Sequence, residues 1–182
     1  MKLTDYIFKK NILPKLFCEN IVEDIKNKKW ENHSWYNAIT KIKNSNKEDP
    51  EVLQISEVLQ NKFDPFIFEI FKEYCEKFSF DKKMFVSKYS PIRFNKYSEG
   101  TYMAYHYDHI HTLFDGVDKG VPVLSCVGNL NENYVGGNLI ICGQPMNLKT
   151  GDVCIFPSCF LYPHEVTKVE KDIRYSFVNW AF

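Results

Sequence analysis

The chain changes texture near residue 83. Before that point apolar residues recur at helical spacing, and after it they fall into short runs closed by turn residues. Pro14, whose fixed φ suits a first helical turn, opens a helix with an apolar stripe of Leu16, Phe17, Ile21 and Ile25. From Glu51 to Phe78, Val52, Leu53, Ile55, Val58 and Leu59 and then Phe66, Phe68, Ile70, Phe71 and Tyr74 predict two further helices parted near Asp64-Pro65. The polar stretch 44–49 reads as a loop, and Trp30 and Trp35 as packing anchors. Beyond residue 84 the runs 84–97, 102–108, 121–130, 137–142, 152–156, 163–169 and 172–181 predict strands, with tight turns at Gly136-Gly137 and Lys149-Thr150-Gly151-Asp152. The expected architecture is mainly β with helical support (α+β), a sandwich or barrel with the N-terminal helices packed on one sheet.

Composition narrows the classes. One domain is the expectation for 182 residues, and a chain this long buries about 70% of its unfolded surface. Its 23 basic and 23 acidic residues cancel, so no overall field attracts nucleic acid or anionic lipid. No apolar run approaches the roughly 20 residues of a membrane span, and Met1 to Asp5 lacks an apolar signal core, so the expected location is cytoplasmic. Cysteines 18, 75, 126, 142, 154 and 159 form no Cys-x-x-Cys pair and read as reduced, mostly buried thiols.

Candidate chemistry concentrates after residue 96. On a strand His106 and Asp108 point to one side while Tyr107 points to the other, so two ligands converge on one metal. His164 stands 56 residues beyond Asp108 and completes two imidazoles and a carboxylate, the donor set of the open facial site of non-heme iron oxygenases. Ten residues further lies Arg174, one of two arginines, with Arg93, among 23 basic residues. Its planar fork can grip a carboxylate with two hydrogen bonds, as a lysine cannot. Strand parity puts Arg174, Ser176 and Trp180 on one face, a pocket wall, and Ile173, Tyr175 and Phe177 on the other.

The segment from Arg93 to Phe182 resembles the catalytic domain of the prolyl 4-hydroxylase-like Fe(II)/2-oxoglutarate dioxygenases. The matching pieces are Tyr97-Ser98-Glu99-Gly100, His106-x-Asp108, Asn129-Leu130-Asn131, Gly136-Gly137-Asn138-Leu139, Thr150-Gly151-Asp152, Phe156-Pro157, His164-Glu165-Val166 and Arg174-Tyr175-Ser176. The resemblance implies a double-stranded β-helix of the jelly-roll, cupin-like type and one dioxygenase domain over 1–182, with 1–83 as helical support and 84–182 as the catalytic part. It implies Fe(II) held by His106, Asp108 and His164, with 2-oxoglutarate in a pocket formed by Arg174 and Tyr97. O2 is the co-substrate and ascorbate a candidate reductant. A prolyl or other amino-acid residue, in a peptide, a protein or a small molecule, would be hydroxylated with release of succinate and CO2. Many relatives place a glycine just before the basic residue, where this chain reads Lys171-Asp172-Ile173, so the turn into the last strand must be built differently.

Two other chemistries fit parts of the pattern. His109 and His111 extend the cluster toward a two-metal hydrolase, although His106-x-Asp108-His109-x-His111 does not follow the usual His-x-His-x-Asp-His order. Otherwise they belong to a loop running to Gly120 that could close as a lid. A metal-binding jelly roll without catalysis, with Arg174 in an ion pair only, is the remaining alternative.

Overall fold

A computed structural model describes residues 2–37, 42–81, 86, 88–108 and 122–182. A 3-10 turn at Leu3–Tyr6 precedes β1 (Phe8–Asn11), α1 (Lys15–Lys26), β2 (Glu31–Asn32), β3 (Trp35–Asn37), β4 (Ile42–Asn44), β5 (Glu51–Gln54) and α2 (Glu57–Lys77). Then follow β6 (Arg93–Tyr97), β7 (Met103–His106), β8 (Leu124–Asn129), β9 (Val135–Gly136), β10 (Leu139–Ile141), β11 (Gln144–Pro145), β12 (Asp152–Pro157), β13 (His164–Val166), β14 (Val169–Lys171) and β15 (Arg174–Ala181).

The strands make a seven-stranded sheet in the order β1-β12-β8-β15-β6-β5-β2 and a four-stranded sheet in the order β11-β10-β13-β7. Every strand pairing among the described residues is antiparallel. Two facing antiparallel sheets of this order form a double-stranded β-helix, as expected.

Alternation along the larger sheet decides what each face meets. Phe94, Cys126, Val153, Ile155, Tyr175 and Phe177 join one core with Cys18, Ile21 and Ile25 of α1 and Phe63, Ile67, Ile70, Phe71 and Tyr74 of α2. Their neighbours Tyr97, Val127, Cys154 and Phe156 face the other way, into a second core with Leu139, Ile141 and Val166 of the smaller sheet. The helices therefore cover the outer face and leave the inner one to the space between the sheets.

Four expectations need correction. Residues 51–54 form a strand paired with β6, because Val52 and Leu53 are too short an apolar run to distinguish helix from strand. Helix α2 runs unbroken through Pro65, starting at Ser56, whose hydroxyl accepts from the Leu59 amide (3.4 Å). Pro65 and Asn61 are both exposed, so water can satisfy the Asn61 carbonyl that loses its amide partner, while the buried stripe from Phe63 to Tyr74 continues past it. Strands β1 to β5 also make the first third less helical than its apolar spacing predicts. Leu16 and Trp35 are not core: both are exposed, and Trp35 stacks on His33. Trp30 does pack, against Tyr175.

Gly128 marks the tightest approach in the outer core. A methyl group there would lie 2.0 Å from the Phe177 ring, itself fully buried against Phe63. Gly128→Ala should destabilise the fold by at least about 1 to 3 kcal/mol, the range for overpacking, and lower the melting temperature by several degrees in a thermal scan.

Candidate metal centre

Strand pairing brings the two histidines together. His106 closes β7 and His164 opens β13, and the two are direct partners in the ladder, with ring centres 4.3 Å apart. His106 Nδ1 lies 2.7 Å from the Ala104 carbonyl and His164 Nδ1 lies 3.1 Å from the Tyr162 carbonyl. A carbonyl can only accept, so each Nδ1 carries the proton and each Nε2 keeps its lone pair. Both Nε2 atoms then face Asp108 Oδ1, at 3.6 Å from His106 and 3.7 Å from His164.

Asp108 is oriented from the other sheet. Its Oδ2 accepts from Ser125 Oγ on β8 (2.6 Å) and from Trp180 Nε1 on β15 (2.9 Å). Because the Ser125 proton is used there, the 2.7 Å contact between Ser125 and Ser158 is donated by Ser158. One carboxylate oxygen is thus taken and the other is free. The three candidate ligand atoms of His106, Asp108 and His164 all lie within 4.8 Å of one another. Two imine nitrogens and one carboxylate oxygen, with the remaining atoms of all three groups already bonded, suit a divalent first-row cation with open positions.

The charges agree with that geometry. Burial opposes ionisation of Asp108, but the neighbouring imidazoles of His106 and His164 and the Ser125 hydroxyl hold its carboxyl well below the usual range. Burial alone would lower His106, yet Asp108 outweighs it and the imidazole is raised. His164 is deeper, and burial leaves it lowered despite Asp108.

Arg174 stands in the same cavity, 1% exposed. It pairs with Tyr97 across the β15–β6 ladder, its guanidinium 5.0 Å from the centre of the Tyr97 ring. Nη1 donates to Ser176 Oγ (3.1 Å), while the buried Nε has no partner. Gly137 allows this placement: a side chain there would come within 3.0 Å of the Arg174 stem. Burial pushes the Tyr97 phenol up, against the pull of the Arg174 and Arg93 charges, so it stays a hydroxyl.

All five residues singled out in the sequence line one cavity, together with Ser176 and Trp180. His109 and His111, and with them half of the two-metal cluster and the loop running to Gly120 that could close as a lid, lie outside the described residues. Sequence reasoning missed Ser125, Ser158 and the roles of Arg93 and Asn95. Parity with Tyr97 could have placed Arg93 and Asn95 on the cavity face, and a serine inside the apolar run 121–130 was a visible anomaly. Ser125→Ala or Trp180→Phe should each weaken divalent-metal binding about 10- to 100-fold, read by anaerobic Fe(II) or Mn(II) titration.

Comparison with known proteins followed the same lines. Residues 92–182 match the family model described as the 2OG-Fe(II) oxygenase superfamily. The viral collagen prolyl hydroxylase of Paramecium bursaria Chlorella virus-1, solved as a 2OG complex, is similar at TM-score 0.68 and 17% identity, over 97% of this chain and 94% of that one. The Pseudomonas putida prolyl-4-hydroxylase gives 0.69 and 14%, over 96% and 91%. The Trichoplax adhaerens prolyl hydroxylase, solved with a hypoxia inducible factor peptide fragment, gives 0.71 and 16%, over 98% and 84%. No curated protein matches the chain.

Proposed function

The chain belongs to the 2OG-Fe(II) oxygenase superfamily, whose enzymes use Fe(II), 2-oxoglutarate and O2, and from that premise we propose that it hydroxylates a C–H bond of a prolyl or other amino-acid residue. In this reading residues 1–182 act as one catalytic domain. His106, Asp108 and His164 hold the iron, while Arg174, assisted by Tyr97 and Ser176, holds the far carboxylate of 2-oxoglutarate. The observation that carries it is the convergence of two free Nε2 atoms and one free carboxylate oxygen beside a buried guanidinium whose Nε is unpaired.

When bound, the iron supplies the chemistry that puts one atom of O2 into the substrate as hydroxyl and the other into succinate, with loss of CO2. The protein's own part is positioning and exclusion of water. Ala104 and Tyr162 fix the imidazole tautomers. Ser125 and Trp180 hold the carboxylate so that one oxygen faces the cavity. Arg174 presents a fork that a five-carbon diacid can meet end-on. Val127, Leu139 and Val166 keep the surrounding wall apolar.

The likeness to prolyl hydroxylases supports an amino-acid substrate, and the solved peptide complex of the Trichoplax protein supports one within a peptide. Six free cysteines support a reducing, cytoplasmic setting. No helix among the described residues is long and apolar enough to cross a membrane.

Wild-type protein with Fe(II) should form succinate from 2-oxoglutarate slowly alone and faster with substrate. His106→Ala or Asp108→Ala should abolish this, and unchanged turnover in either would remove the metal assignment. Arg174→Ala should weaken 2-oxoglutarate binding by about 2 to 4 kcal/mol, the scale of a lost charge-assisted bidentate pair, in a calorimetric titration with Mn(II) in place of iron.

A further inference from the structure

One cation in the cavity has no task in the reading above. Arg93 lines the same cavity as the metal triad and Arg174, so both arginines of a chain otherwise basic through lysine converge on one space. Its guanidinium lies 5.1 Å from the centre of the Trp180 ring. Its buried Nε has no hydrogen-bond partner, and two residues along the same strand the buried Asn95 Oδ1 has none either.

Among the described residues, the carboxylate whose charge reaches Arg93 is occupied. Asp108 acts on Arg93 through its charge, but its Oδ2 is taken by Ser125 and Trp180 and its Oδ1 faces the imidazoles. Arg93 is half-buried, its Nε is shut off from solvent without a partner, and among the described residues no carboxylate pairs with it, so a ligand acid would complete it.

Position separates that ligand from 2-oxoglutarate. In the ladder Arg174 pairs with Tyr97 and Arg93 pairs with Val178, four residues further on, which is about 13 Å along the strands. Trp180, which lies under Arg93, also holds Asp108. Arg93 therefore sits at the Asp108 end of the cavity, and a diacid with one end on Arg174 and the other at the triad leaves it free.

We propose that Arg93 receives a carboxylate of the substrate, so that the hydroxylated carbon lies within reach of an acid group. The substrate is then a free amino acid, the C-terminal residue of a peptide or an acidic side chain, which narrows the amino-acid substrate proposed above and sets aside a prolyl residue in the interior of a peptide. This rests on the oxygenase reading. Asn95, with its unused oxygen, is placed to accept an N–H of the same molecule.

The test uses matched acid and amide probes on the iron-loaded enzyme with 2-oxoglutarate: the proteinogenic L-amino acids against their amides, short peptides with free against amidated C-termini, and peptides with internal Asp or Glu against Asn or Gln. Substrate-stimulated succinate and an added oxygen by mass spectrometry report turnover, and calorimetry with Mn(II) and 2-oxoglutarate reports binding without it. The acid member of one pair should exceed its amide at least about 30-fold in kcat/KM, and the responding pair identifies the source of the carboxylate. Arg93→Gln should raise KM for that acid and bring the ratio to about threefold or less, with Arg93→Lys intermediate because an ammonium keeps the charge and loses the fork. Amides handled as well as acids, no acid bound or turned over, or a ratio that survives Arg93→Gln in a variant that still melts cooperatively and binds 2-oxoglutarate would overturn the proposal. Succinate formation without substrate tests the oxygenase reading separately, and its presence beside a failed acid preference would sink only the role of Arg93.

Discussion

The site depends on how one carboxylate is shared between two sheets. Both imidazoles belong to the smaller sheet, and the donors that orient Asp108 belong to the larger one. If Ser125 and Trp180 did not hold Oδ2, the carboxylate could turn both oxygens toward the two imidazoles and collapse the opening into an ordinary ion-paired cluster. Two hydrogen bonds of 2.6 and 2.9 Å keep one oxygen out of that contact. Ser158 behind Ser125 fixes the hydroxyl in turn, giving a short chain in which each proton has one destination.

That arrangement requires the larger sheet to be rigid and two-faced. Its outer face is closed by aromatic contacts, with Phe63 packed on Phe94 and Phe177 and near enough to Phe17 to link both helices to the sheet. The inner face is then free to carry groups that would be costly in a core: Arg93, Asn95, Arg174 and Ser176 stand one residue away from Phe94, Tyr175 and Phe177. A one-residue register slip in β15 would exchange Arg174 with Tyr175 and destroy both faces at once. Pairing on both sides, with β6 and β8, makes that slip expensive.

What could be read from the sequence follows from the range of the physics. Parity along 174–180 is a local property, and it correctly separated cavity residues from core residues. His106, Asp108 and His164 could be picked out because a metal site needs specific donor types at specific spacings, and the fold brings their ligand atoms within 4.8 Å of one another. Residues 51–54 were misread because their strand identity comes from pairing with β6, a partner roughly forty positions away. Ser125 was invisible as an Asp108 partner for the same reason. The absent glycine before Arg174 has a local answer: Asp172 adopts φ +63, the left-handed region that glycine enters freely and that aspartate tolerates better than most residues. The turn is kept with a different residue, and Arg174 still arrives in register with Tyr97.

Charge balance extends the argument from the residues to the ligands. Among the described residues the cavity carries two guanidiniums and, once loaded, a divalent cation, against the single carboxylate of Asp108. Formally that leaves three positive charges in a space with largely apolar walls, where unpaired charge is costly. 2-Oxoglutarate as a dianion neutralises two of them. The third lies at the Arg93 end, and a neutral substrate bound there would leave it uncompensated. A substrate carboxylate at Arg93 would remove that imbalance, so the charge count and the position of Arg93 favour the same class of ligand.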